Sequence, residues 1–138
     1  MTKSAIGLVF LSCVFLPACG DDEADSIEIN GEWASDFMST EVISDDSWTV
    51  DYGDGPASSE IVEFSNLDNS AVLLAADGTY GLTVWTEISD DSFYYCGVSF
   101  GEATADDAAN NAQNHDDTDP ANGGCGDLDF SWTKLTKQ

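Results

Sequence analysis

Beyond residue 26 the chain alternates apolar and polar positions with a period of two. Ile27, Ile29, Gly31 and Trp33 interleave with Glu28, Asn30 and Glu32, which predicts a first strand. Phe37 to Ile43 is a second candidate. Trp48, Val50 and Tyr52 share one face of a third, before the chain turns at Gly53-Asp54-Gly55-Pro56. Ile61 to Phe64 follows, then a polar break from Asn66 to Ser70. Ala71 to Ala76 is apolar on both faces and stops at Asp77-Gly78, a strong hairpin signal. Tyr80, Leu82, Val84, Thr86 and Ile88 share a face of the next strand, and Asp90-Asp91 turns it. Phe93 to Phe100 returns, and Leu128 to Leu135 is the last candidate. Roughly eight strands at short, regular spacing predict an all-β fold: a small antiparallel β-barrel or sandwich.

One segment breaks the alternation. Glu102 to Asn114 is rich in Ala and Asn and has no β-branched residue after Thr104. Thr104 and Asp107 have capping-box spacing, with Asp where Glu is usual. Asp106 and Asp107 also suit the positive end of a helix. Ala105, Ala108, Ala109 and Ala112 recur at helical spacing, which predicts one short Ala-rich helix against the sheet. His115 to Gly124 reads as a loop.

The N-terminus follows a different pattern. Met1-Thr2-Lys3 is cationic, and the apolar run Ala5 to Leu16 is too short for a membrane span, which needs about 20 residues. Leu16-Pro17-Ala18-Cys19 resembles the lipobox of bacterial lipoproteins. That resemblance implies a signal peptide over residues 1–18, cleavage before Cys19 and acylation of that cysteine. It implies an acidic tether over 19–26 and a single β-rich domain over 27–138. The expected location is the cell envelope, with the membrane bound through the lipid anchor. Gly20 after the cysteine leans towards the outer rather than the inner membrane. Two or more acyl chains anchor a protein stably where one holds it only marginally.

Charge narrows the partners. The formal net charge is −24, from 27 acidic residues and three basic ones. Of the three, Lys3 lies in the leader, which leaves Lys134 and Lys137. Such a surface repels nucleic acid and anionic headgroups and favours cations or basic partners. It also keeps a protein soluble, which needs no specific function. Trp33, Trp48, Trp85 and Trp132 argue for a packed core rather than disorder.

Of four cysteines, Cys13 leaves with the leader and Cys19 takes lipid. Cys96 and Cys125 remain, an even pair in an oxidising compartment, and a disulfide is the simplest reading. A two-cysteine metal site with His115 is the alternative, although C-x₂-C spacing is absent.

Two further resemblances cover the domain. Gly31-Glu32-Trp33 looks like the G-x-W of lipocalins and other calycins, where the Trp closes the base of an eight-stranded barrel beneath a late Arg. The mature part of this chain has no Arg, so that partner is missing unless Lys134 substitutes. The layout Phe93-Tyr94-Tyr95-Cys96, Ala-rich segment, Gly124-Cys125-Gly126 and Phe130-Ser131-Trp132-Thr133-Lys134-Leu135 resembles small, uncharacterised secreted lipoproteins. It implies a shared fold and a disulfide, and no activity.

The chain offers little for catalysis. His115 is the only histidine, no G-x-S-x-G occurs, and the disulfide would consume the thiols. No enzymatic activity and no cofactor are expected. Calcium is the most plausible ion, with Asp117 and Asp119 in one loop and Asp51 and Asp54 in another. Neither matches an EF-hand: Leu128 stands at the twelfth position of the first, where a Glu is needed, and Gly53 lacks a ligand oxygen in the second. The expected function is a non-enzymatic binding or envelope-surface module. The alternative is a calycin-like barrel holding a small apolar ligand. An open aromatic-lined cavity would favour the container, and a filled core would favour the surface module.

Overall fold

The computed structural model describes residues 26–127 and 129–138. Eight antiparallel strands form a closed barrel in simple meander order. They are β1 (Gly31–Ser35), β2 (Thr40–Ile43), β3 (Ser47–Asp51), β4 (Pro56–Ser65), β5 (Ser70–Leu74), β6 (Tyr80–Trp85), β7 (Ser92–Glu102) and β8 (Thr133–Lys137). One helix, α1 (Ala105–Asn110), sits between β7 and β8. Each strand pairs with its neighbour in sequence, and β8 closes on β1 through Trp33↔Lys137 and Ser35↔Leu135. Closure removes exposed sheet edges and decides between barrel and sandwich.

Turn chemistry sets these boundaries. Asp90 and Asp91 both adopt positive φ, 50° and 56°, as a two-residue hairpin turn twisted to match its strands requires. Asp77 accepts from both the backbone N–H and the hydroxyl of Thr79 and fixes the β5–β6 turn. A register shift between Ile61 and Glu63 leaves Val62 as the extra residue of β4, and such a bulge bends a strand around a barrel.

The base of the barrel corrects the first sequence expectation. The strand begins at Gly31, and residues 27–30 are irregular. Ile27 and Ile29 are nonetheless buried and join Trp33, Ile43 and Leu135 in the core. They plug the barrel end while polar partners hold the backbone. Asp45 accepts from the N–H of Ile27, the side chain of Asn66 accepts from that of Glu28, and Trp85 Nε1 donates to Glu28 at 2.6 Å.

Trp33 also meets a lysine, but Lys137 and not Lys134, the only substitute considered from sequence. Lys137 Nζ stands 4.9 Å from the Trp33 ring centroid, whereas Lys134 lies over Tyr94 at 5.8 Å. Register explains this, since Lys137 is the partner of Trp33 across β1–β8. Gly31 has φ of 142°, and a Cβ there would lie 3.1 Å from Lys137 Nζ. Gly31→Ala should therefore cost about 1–3 kcal/mol, chiefly from backbone strain, and a urea titration of the purified protein checks it.

Other boundaries also moved. Phe37 and Tyr52 fall outside β2 and β3 and are exposed in turns. The last strand starts at Thr133, and Leu128 lies outside the described residues.

Candidate functional site

Three places could carry chemistry: the barrel interior, the disulfide-linked cap and a groove beside the cap.

The interior is filled. Trp33, Ile43, Trp48, Ile61, Ala71, Trp85, Phe93 and Leu135 are buried in one cluster. Trp33 meets Phe93 edge-on at 4.8 Å, and Trp48 meets Tyr95 at the same distance. Among them lies Glu41, with no solvent exposure. It shares an inward phase with Ile43 on β2, two residues away. Its Oε2 accepts from Trp48 Nε1 at 2.7 Å, and its Oε1 accepts from Tyr95 Oη at 2.9 Å and Ser39 Oγ at 3.3 Å. Burial raises the Glu41 pKa above its ordinary 4.5, the three hydrogen bonds oppose that rise, and the charge of Asp36 adds to it. Burial, followed by the neighbouring Glu41 charge, pushes the Tyr95 phenol up as well. An acid this enclosed reaches no substrate. Its three donors, all satisfied, make it a hub of the core. Sequence reasoning missed Glu41 because one acid among 27 attracts no notice. The available signal was its phase, in step with Ile43.

The cap confirms the disulfide reading. Cys96 and Cys125 are bonded, with Cα atoms 6.2 Å apart and a sequence separation of 29. This overturns the metal alternative with His115, whose exposed ring instead faces Trp132 at 6.4 Å. Thr104 caps α1 by accepting from the N–H of Asp107, as its spacing predicted. The helix is shorter than the Ala-rich segment, and only Ala108 of its residues is buried. Ser39 aside, the buried hydroxyl that matters here is Ser99, which donates to the Ala108 carbonyl at 2.7 Å and ties helix to sheet. Val84, Cys96, Val98, Cys125 and Trp132 form a second core on the outer face of β6 and β7. The cap thus covers one side of the barrel and not an end.

The carboxylates considered for calcium are spread apart. Asp51 accepts from the Gly53 N–H, and Asp119 from the Asn122 side chain. Asp54 and Asp117 are exposed. No group of three or more potential ligands converges among the described residues. Asp116, beside them, accepts from the hydroxyl and N–H of Thr118, which lowers its pKa. Cys19, the expected lipid site, lies outside the described residues, as do the leader and all of the tether but Ser26.

The groove was not foreseen. It lies between α1 and the β4–β5 turn, with a volume of about 290 Å³. Val72 and Leu82, cross-strand partners on the outer face, line it with Ala109 of the helix. Glu63 and Asp68 stand on the side away from the helix. The sequence hid it because it needs the outward residues of three strands and one helix together.

The chain matches no family model, no curated protein and no solved structure.

Proposed function

We propose that the chain is a lipid-anchored, extracytoplasmic binding module of the cell envelope, without enzymatic activity, in which the barrel is a scaffold and the partner binds outside it. The filled interior carries this reading. Tryptophans, Phe93 and aliphatic residues occupy the space that a ligand would need, and an eight-stranded barrel is only just wide enough for its own side chains or one small ligand. The base position of residues 26–30 supports the anchoring half. Ser26 and Ile27 are clasped by Asp45, so a tether from Cys19 would join the barrel at its base. The β4–β5 turn that borders the groove is bonded through Asn66 to Ser26 and Glu28, so the groove would open on the flank beside the anchored end.

Replacing the proposed lipid site tests the anchor. Cys19→Ala should abolish metabolic labelling by radiolabelled palmitate and leave the precursor uncut, because the acyl transfer needs the thiol. Normal maturation with membrane retention of that variant would overturn the anchor.

The calycin-like container is the second reading, and one observation favours it: a cationic side chain, Lys137, stands over Trp33 where the resemblance has an Arg. A container should quench its buried tryptophans on titration with an apolar ligand such as retinol or a fatty acid. The scaffold reading expects no saturable change.

A further inference from the structure

We infer that the groove between α1 and the β4–β5 turn is the docking site for a basic segment of a partner protein, one that places an apolar side chain next to a lysine or arginine. The inference deepens the binding-module reading and rests on it, but not on the lipid anchor.

Shape argues for a side chain rather than an enclosed ligand. Pockets that bind small molecules bury most of the ligand's surface, whereas this groove of about 290 Å³ is half open to solvent. It suits an anchoring side chain of a larger partner.

Chemistry defines the anchor. Val72 and Leu82 form an apolar floor, and Ala109 forms one wall. Ala109 belongs to the alanine stripe of α1, yet unlike Ala108 it is exposed, so the helix presents it to the groove instead of packing it. Glu63 lies across the sheet from Val72 in register. Asp68 accepts from Ser65 through Oδ2 at 2.9 Å, which leaves Oδ1 for a second donor. An apolar floor with carboxylates on one side matches an amphipathic cation and repels an acidic one. A nucleic acid or an anionic lipid surface is excluded by the same charges. Val72 and Leu82 of the floor are paired on both sides, Val72 with Glu63 and Leu82, and Leu82 with Val72 and Ser99, so a partner cannot add a strand over the floor. Recognition must come through side chains.

The test uses the mature protein in detergent micelles and two amidated peptides of equal length and charge, one of lysine and leucine, one of lysine and serine. Affinities are measured by calorimetry at physiological salt, and methyl NMR follows Val72 and Leu82. The lysine–leucine peptide should bind, shift both methyl groups, and exceed the lysine–serine peptide by about tenfold or more. Ala109→Trp, which fills the groove from an exposed helix position, should weaken binding by about tenfold. Glu63→Gln with Asp68→Asn should weaken it by a similar factor, while Glu32→Gln with Asp54→Asn, elsewhere on the surface, should change it less than about twofold. Equal affinity for the two peptides would overturn the inference, as would indifference to Ala109→Trp, or an equal loss from both neutralised pairs. Each of these would mean attraction to the acidic surface as a whole. Such a failure leaves the lipid anchor standing, because the Cys19 experiment reads that separately.

Discussion

Glu41→Leu should destabilise the domain by about 2–4 kcal/mol in mildly acidic buffer, because it strips the acceptor from Trp48 Nε1, Tyr95 Oη and Ser39 Oγ, and a buried unsatisfied donor costs about 1–3 kcal/mol. Glu41→Gln should behave differently. The Gln carbonyl can accept from Trp48, and its amide can donate to the two hydroxyls, which rotate to accept. The Gln side chain carries no charge into the core. The folded-state pKa of Glu41 is raised above 4.5. Its contribution is therefore fully present below the unfolded value and is lost as pH rises through the folded one. Glu41→Gln should match the parent at pH near 4.5 and exceed it in stability at neutral and alkaline pH. The acid limb has another cause. Hydrogen bonds from Ile27 and Ser26 lower the pKa of Asp45, and those from Thr79 lower that of Asp77. Their contributions are present above the ordinary 3.8 and are lost as pH falls through the folded values. Stability should thus peak in the mildly acidic range between these limbs. Urea titrations across pH read the whole profile, and parallel curves for parent and Glu41→Gln would show that Glu41 is not the group responsible for the upper limb.

Reduction, or the double substitution Cys96→Ala with Cys125→Ala, should cost about 3–4 kcal/mol by the chain-entropy account of a loop this long. That is a large part of the roughly 5–15 kcal/mol that holds a typical domain folded. The loss should be uneven. A single buried alanine removes little area from water, so α1 depends on the disulfide, on Ser99 and on the Trp132 cluster. Hydrogen exchange at Ala108, Asn111 and Gln113 should accelerate strongly on reduction, while amides of β1 to β4 change least. Mass spectrometry of the unreduced protein should find the pair two hydrogens lighter than the dithiol. Uniform acceleration through the barrel would mean that cap and barrel unfold as one unit.

The barrel's hairpins were legible because their turns speak locally. Asp77-Gly78 and Asp90-Asp91 specify backbone conformations that few residues tolerate, and Thr104 with Asp107 announces a helix start. The base was misread for a physical reason. Ile27 and Ile29 alternate like a strand, but alternation reports only which side chains are buried, and a plug buries every second residue just as a strand does. Phe37 and Tyr52 misled in the opposite sense, since turn residues can be apolar and exposed. The exchange of Lys134 for Lys137 came from register, which depends on closure between segments about a hundred positions apart and leaves no local trace. The groove and the partners of Glu41 were illegible for the same reason. Each is made by residues that meet only when the sheet has curled. The disulfide was legible because only two cysteines remained to pair once Cys13 and Cys19 had been assigned to the leader and the lipid.

Meander order has a consequence for how the chain is born. Seven of the eight strand pairings join neighbours in sequence, and the six among β1 to β7 can form as local hairpins. The eighth, β8 on β1, joins the last strand made to the first. Until it forms, β1 and β8 each present an unpaired edge, the template on which extended chains aggregate. The interval before closure is the hazardous stage of this protein's life. A frameshift or truncation just ahead of Thr133 should yield aggregates and not a seven-stranded remnant.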